Sequence, residues 1–155
     1  MHKIIPFDIR YQEAISSMMD KIQEEFDIPF RNPDGRTIAD VVDDENLFWI
    51  ALDGERVLGT IGLSRIDNQN AFLRYLFVAK EGRGSAGVSQ MLLDTALREA
   101  AKENYEHIYL GTMEQFKAAQ KFYIKNHFVC IPKEALPELM PVSPMDLLFY
   151  LRKMN

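Results

Sequence analysis

One stretch constrains the fold more than any other: a strand, a glycine turn and a helix in unbroken succession between Phe72 and Ala101. Phe72-Leu-Arg-Tyr-Leu-Phe-Val-Ala79 is rich in aromatic and branched side chains and reads as a buried strand. Val88-Ser-Gln-Met-Leu-Leu-Asp-Thr-Ala-Leu-Arg-Glu-Ala-Ala101, apolar at Val88, Leu92, Ala96 and Leu97, reads as a helix. Between them, Gly82, Gly84 and Gly87 put three glycines in six residues. Such a turn tolerates backbone that a Cβ would forbid and leaves the helix's first N–H groups open at the positive end of its dipole. That is a seat for a phosphate or pyrophosphate.

The rest of the chain bounds the setting. Its 155 residues fit a single domain spanning 1–155, long enough for a substantial core. A hydrophobic fraction of 47% with 26% charged residues excludes disordered and fibrous classes. A net charge of -5 without a Lys/Arg run argues against a nucleic-acid partner, because phosphate neutralisation needs a basic face. The single cysteine, Cys130, permits no internal disulfide and reads as a small buried hydrophobe. No apolar run approaches a membrane span and no apolar core of a signal peptide stands at the start, so the expected address is the cytoplasm.

In chain order, His2 to Phe7 reads as a short strand placed at a sheet edge by Pro6, and Asp8 as a cap for a helix over 9–26. A loop over 27–44 carries the turn signal Asn32-Pro-Asp-Gly35 and a short helix over 37–42; Phe26 and Phe30 flank it, either as a pocket rim or as packing. Two apolar runs, 46–52 and 56–63, joined through Asp53-Gly54, predict a hairpin leading to the 72–79 strand. After the helix come a strand at 107–111, a helix over 115–125 that a left-handed Asn126 would end, and strands at 128–131 and 145–151. The order β-α-(α)-β-β-β-α-β-α-β-β predicts an α/β (α+β) fold with a mixed, mostly antiparallel central sheet flanked by helices.

Gly82-Arg-Gly-Ser-Ala-Gly87 matches the dinucleotide fingerprint G-x-G-x-x-G, but antiparallel strands precede it and too little chain follows for two mononucleotide halves. A different likeness covers more of the chain. Leu76-Phe77-Val78, Arg83-Gly84, Gly87-Val88-Ser89 and Leu92-Leu93 resemble the acyl-CoA signature of the GNAT superfamily of N-acetyltransferases. Ala118 to Phe128 resembles its second signature, and Asp146-Leu-Leu-Phe-Tyr-Leu151 its last strand. Four departures stand out: Ser85-Ala86 make the turn one residue longer than usual, Ser89 stands where Gly or Ala is usual, Phe116 stands where many members carry Asn, and His127 replaces a common Gly.

The resemblance implies a GNAT-like acyl-CoA N-acyltransferase fold that carries an acetyl group from acetyl-CoA, a cosubstrate, to a primary amine of a small molecule or peptide. It implies amides of Gly84, Ser85, Ala86, Gly87, Val88 and Ser89 on the pyrophosphate, with Arg83 at the rim, and the pantetheine arm along Leu76, Phe77 and Val78. The Val78 N–H would polarise the thioester carbonyl and Tyr123 would protonate the leaving thiolate. The 72–78 strand carries no acid to take the amine's proton; Glu24, Glu25, Asp67 and Glu114 are candidates, but each reads first as a solvated charge, and His107 and His127 read as structural. Nothing at ligand spacing suggests a metal.

The acids Glu24, Glu25, Asp43, Asp44 and Glu45 would favour a cationic acceptor, or simply form a solvated surface. Two other readings stay open: a non-catalytic acyl-CoA-binding or regulatory module that lacks the base, and an NAD(P)-dependent oxidoreductase. A homodimer through the last strands is the assembly the sequence allows.

Overall fold

The computed structural model describes residues 2–31 and 34–154. Its elements are β1 (His2–Pro6), α1 (Gln12–Gln23), α2 (Ile38–Val41), β2 (Asn46–Asp53), β3 (Arg56–Arg65), β4 (Asn70–Val78), α3 (Val88–Lys102), β5 (His107–Thr112), α4 (Lys117–Lys125), β6 (Val129–Ile131) and β7 (Leu148–Lys153). The predicted order holds throughout. Asp8 caps a 3-10 turn over Ile9–Tyr11, its side chain accepting from the Arg10 N–H, and α1 follows. Of the turn expected over 32–35, residues 32 and 33 lie outside the described residues.

The strands form one seven-stranded sheet in the order β1-β2-β3-β4-β5-β7-β6. Every pairing is antiparallel except β4 with β5. Pro6 does sit on an edge strand, where its missing N–H costs no ladder bond. Alternation along the strands sorts side chains to two faces. Leu63, Leu73 and Val78 pack with Val88, Leu92 and Ala96 of α3 on one face. Phe48, Ile50 and Leu52 pack with Ile15, Met19 and Ile22 of α1 on the other.

Three details differ from the sequence reading. Helix α4 is ended not by a left-handed Asn126, whose φ is -98°, but by His127 at φ 70°. Asn126 instead uses its side chain, donating to the Phe122 carbonyl and accepting from Gln90 of α3. Cys130 is exposed on edge strand β6, not buried. The last strand begins at Leu148, not at 145: after Pro144 the Asp146 N–H turns back onto the Ser143 carbonyl, so Asp146 stands outside the ladder.

The feature that makes a site is where pairing stops. β4 and β5 pair only at Asn70↔His107, Ala71↔Ile108 and Phe72↔Tyr109, after which β4 stays with β3 and β5 with β7, opening a gap. A bulge in β4 marks the divergence: Tyr75 has φ 58° and the β3–β4 register shifts between Thr60 and Gly62. The fully buried Thr60 hydroxyl donates to the Tyr75 carbonyl at 2.7 Å, satisfying a group the bulge takes out of the ladder.

Candidate active site

The glycine turn lies at one mouth of this gap. Two short 3-10 turns, Lys80–Gly82 and Gly84–Ala86, carry the chain from β4 to α3. Gly84 and Gly87 have φ of 67° and 69°, conformations an L side chain rarely adopts. Gly87 occupies the N-cap of the 15-residue α3 with no side chain capping it, so the helix's first amides stay open towards a ligand. Gly82 has another role: it is buried, and a Cβ there would press on Val78 and Val88 at 3.0–3.3 Å.

Arg83 is held from two sides. Its Nε donates to the Val78 carbonyl at 2.9 Å, and its two Nη atoms meet Glu25 at 2.5 and 2.9 Å. Bonding by Arg83, ahead of its charge, holds the Glu25 carboxyl below the usual range. Leu76, Phe77 and Val78 lie beyond the bulge, along the gap. The Ala79 N–H donates to Leu58 of β3, so by strand alternation the N–H and C=O of Val78 face away from β3, towards the gap.

Tyr123 of α4 is buried, packed on Phe128 and Tyr150, with its hydroxyl free of hydrogen bonds among the described residues. Burial first, and the negative charge of Asp146 second, push its ionisation well above that of an ordinary tyrosine, so it holds its proton. Tyr123 and Asp146 both line a cleft of about 1270 Å³ that follows the gap.

Asp146 is the residue that sequence reasoning missed. Its carboxylate lies over β5 at Gly111, where a Cβ would come within 2.8 Å of Oδ2. Leu110 packs on the α3 side of the sheet, so Gly111 and Asp146 belong to the opposite face, and Tyr123 approaches from the α3 side. Burial pushes the Asp146 carboxyl up to about 6. From sequence it reads as part of the last strand, 145–151, and carries no signal of its own.

The acids and histidines singled out from sequence are otherwise engaged. Asp67 accepts from Asn70 and from two backbone amides in the turn before β4, away from the gap. Asp43 does the same for Glu45 and Asn46. Glu24, Glu114 and His127 are exposed, and His107 meets Asn70 at the closed end of the β4–β5 pair. Among the described residues no group of three or more His, Cys, Asp or Glu could hold a metal, and no helix is long and apolar enough to cross a membrane.

The loop after α1 roofs the cleft. Phe26 and Phe30 pack against Phe77 and Phe116, with Phe30 stacked on Phe77 at 4.9 Å, so the rim and packing readings of these rings are both realised. Phe116, instead of a side-chain amide, thus closes the aromatic cluster at the start of α4. The neighbouring Gln115 fixes the loop by accepting from the Ile28 N–H at 3.1 Å and donating to its carbonyl at 2.8 Å.

Comparison with known proteins agrees with this arrangement. Residues 14–128 match the family model described as Acetyltransferase (GNAT) family. An acetyltransferase of the GNAT family from Staphylococcus aureus Mu50 is 32% identical, with a TM-score of 0.89 and full coverage of both chains. The PaiA N-acetyltransferase of Thermoplasma acidophilum, solved with coenzyme A, shares the fold at a TM-score of 0.72 and 16% identity over 99% of each chain. N-acetylglutamate synthase from Neisseria gonorrhoeae, complexed with coenzyme A and N-acetyl-glutamate, gives a TM-score of 0.79 at 12% identity, with all of this chain aligned to 35% of that one. No curated protein matches the sequence. The splayed β4–β5 pair, the open helix end at the glycine turn and these matches together show that the chain belongs to the acetyltransferase (GNAT) family and is an acetyl-CoA-dependent N-acetyltransferase.

Proposed function

We propose that the chain moves the acetyl group of acetyl-CoA to a primary amine by direct attack within the β4–β5 gap. The observation that carries this is the gap itself: it runs from the open amides of α3 to a point flanked by Tyr123 on one face of the sheet and Asp146 on the other. Acetyl-CoA supplies the thioester carbonyl that the amine attacks. Amides of residues 84–89 seat the pyrophosphate, and the unpaired edge of Leu76, Phe77 and Val78 takes the pantetheine arm as a strand would. The Val78 N–H donates to the carbonyl oxygen as charge develops there.

Asp146 takes the proton from the acceptor's ammonium, which then attacks as the neutral amine. A carboxyl raised to about 6 is still mostly ionised at neutral pH yet basic enough for this work. Tyr123, kept protonated by its burial, gives a proton to the departing thiolate. No covalent acyl-enzyme is needed: the only cysteine, Cys130, lies exposed on edge strand β6.

The test is thiol release from acetyl-CoA with a panel of primary amines, with mass spectrometry of the product. Amine-dependent thiol release and a product heavier by one acetyl group support the reading. Tight acetyl-CoA binding without turnover on any amine would instead favour a non-catalytic acyl-CoA-binding module.

A further inference from the structure

Among the described residues, Arg74 is a cation inside the acceptor side of the cleft without an anion of its own. It lies on β4 with the parity of Phe72, on the sheet face away from α3, and lines the cleft half-buried. Three rings surround its guanidinium: Tyr75 at 5.3 Å, Phe72 at 5.6 Å and Phe48 at 5.8 Å. Among the described residues no carboxylate pairs with it and no hydrogen bond holds it. The rings fix the plane of the guanidinium and exclude part of its water, while its N–H donors remain unspent.

Register sets Arg74 against Asp146. Phe72 stands opposite Tyr109 in the last parallel pair, so Arg74 and Gly111, two residues further along each strand, share a level and a face on the two sides of the opening gap. Asp146 covers Gly111. The acceptor side of the gap therefore has a cation on its β4 wall and a carboxylate on its β5 wall, with no ion pair between them.

We propose that the acceptor is a small amine that also carries a carboxylate, its carboxylate held on Arg74 and its ammonium on Asp146. This rests on the acetyl-transfer reading and specifies its substrate class. The carboxylate and guanidinium make a charge-assisted, two-pronged contact. The ammonium gives one proton to Asp146, which passes it to water. The neutral nitrogen bonds to the thioester carbon, the carbon–sulfur bond breaks, and the second proton lost by nitrogen balances the one taken by the CoA thiolate. A diamine would bring a second cation against Arg74 and is disfavoured, so the acidic loop residues do not select the acceptor.

The experiment compares matched acceptors in the thiol-release assay: amino carboxylates, their carboxamides and diamines of equal length, with wild type, Arg74→Gln and Arg74→Lys. Wild type should prefer the carboxylate over its amide by roughly a hundredfold in kcat/KM, because a site built for a charged group rejects one that leaves it unpaired. Arg74→Gln should abolish that preference mainly through KM, without lowering the melting-temperature gain from acetyl-CoA, and Arg74→Lys should restore only part of it. In parallel, with CoA bound, the amino carboxylate should raise the melting temperature of wild type but not of Arg74→Gln. Faster turnover of amides or diamines, or an unchanged preference in Arg74→Gln, overturns the proposal. Failure of acetyl-CoA to stabilise any of these proteins overturns the acetyl-transfer reading instead.

Discussion

Glu25 grips Arg83 end on: Nη1 of the arginine lies 2.5 Å from Oε1 and Nη2 2.9 Å from Oε2. The pair ties the loop after α1 to the glycine turn, and it occupies donors that the proposed pyrophosphate seat would draw on. Both side chains remain partly exposed, so the pair contributes modestly. Replacing Glu25 by Gln should lower KM for acetyl-CoA about two- to fivefold, in keeping with an exposed pair worth under ~1 kcal/mol. A KM that rises would show that Glu25 positions Arg83 for the ligand.

Tyr123→Phe tests the proposed proton donor. Its hydroxyl makes no hydrogen bond among the described residues and its ring packs on Phe128 and Tyr150, so the variant should keep its melting temperature. Its kcat should fall about tenfold or more, at or below the lower end for general acids because a thiolate leaves readily, with KM for acetyl-CoA nearly unchanged. An unchanged kcat would reduce Tyr123 to a packing residue.

Asp146 joins activity and stability with opposite signs. Its folded value of about 6 lies above the ordinary 3.8, so the native state binds its proton more tightly than the unfolded chain. The stability this gives is present below about 3.8 and is lost as pH rises through about 6. Asp146→Asn should therefore melt higher than wild type at pH 7.5, by about 1 kcal/mol after allowing for solvent, and show no advantage near pH 4. Wild-type kcat/KM should climb with pH through about 6 while that step disappears in the variant. The charge of Asp146 reaches Tyr123 across the gap and raises its ionisation, and Lys133 shares a small pocket with Asp146 without pairing among the described residues.

One buried bond ties the bulge in β4 to β3: the Thr60 hydroxyl donates to the Tyr75 carbonyl. Thr60→Val keeps the shape and leaves the Tyr75 carbonyl without its donor, which should cost about 1–3 kcal/mol. Urea unfolding measures the loss. Acetyl-CoA turnover should fall with it, because the bulge is where β4 parts from β5; normal activity in a destabilised Thr60→Val protein would mean that the gap is held open by other contacts.

Strand and helix order was legible because the periodicities are strong: the Asp53-Gly54 hairpin, the 72–79 strand and the α3 heptad-like spacing each point one way. The glycine turn was legible for the same local reason, since positive φ at Gly84 and Gly87 is a property of the residue type. Asp146, Arg74 and the Glu25–Arg83 pair were not legible. Each depends on strand register or on a contact between segments far apart in sequence. Asp146 reaches the gap only because β7 starts late and Gly111 leaves room for a carboxylate. Cys130 was misread since a three-residue run with two hydrophobes gives no sign of whether it sits at a sheet centre or edge.

The central claim is that the turn and the β4–β5 gap hold acetyl-CoA, and a melting-temperature comparison with acetyl-CoA, CoA and NADPH tests it most directly. Ligand at a hundred times its Kd adds about 2.7 kcal/mol to the native state. Stabilisation by acetyl-CoA and CoA but not by NADPH is the predicted result, and stabilisation by NADPH alone would contradict it.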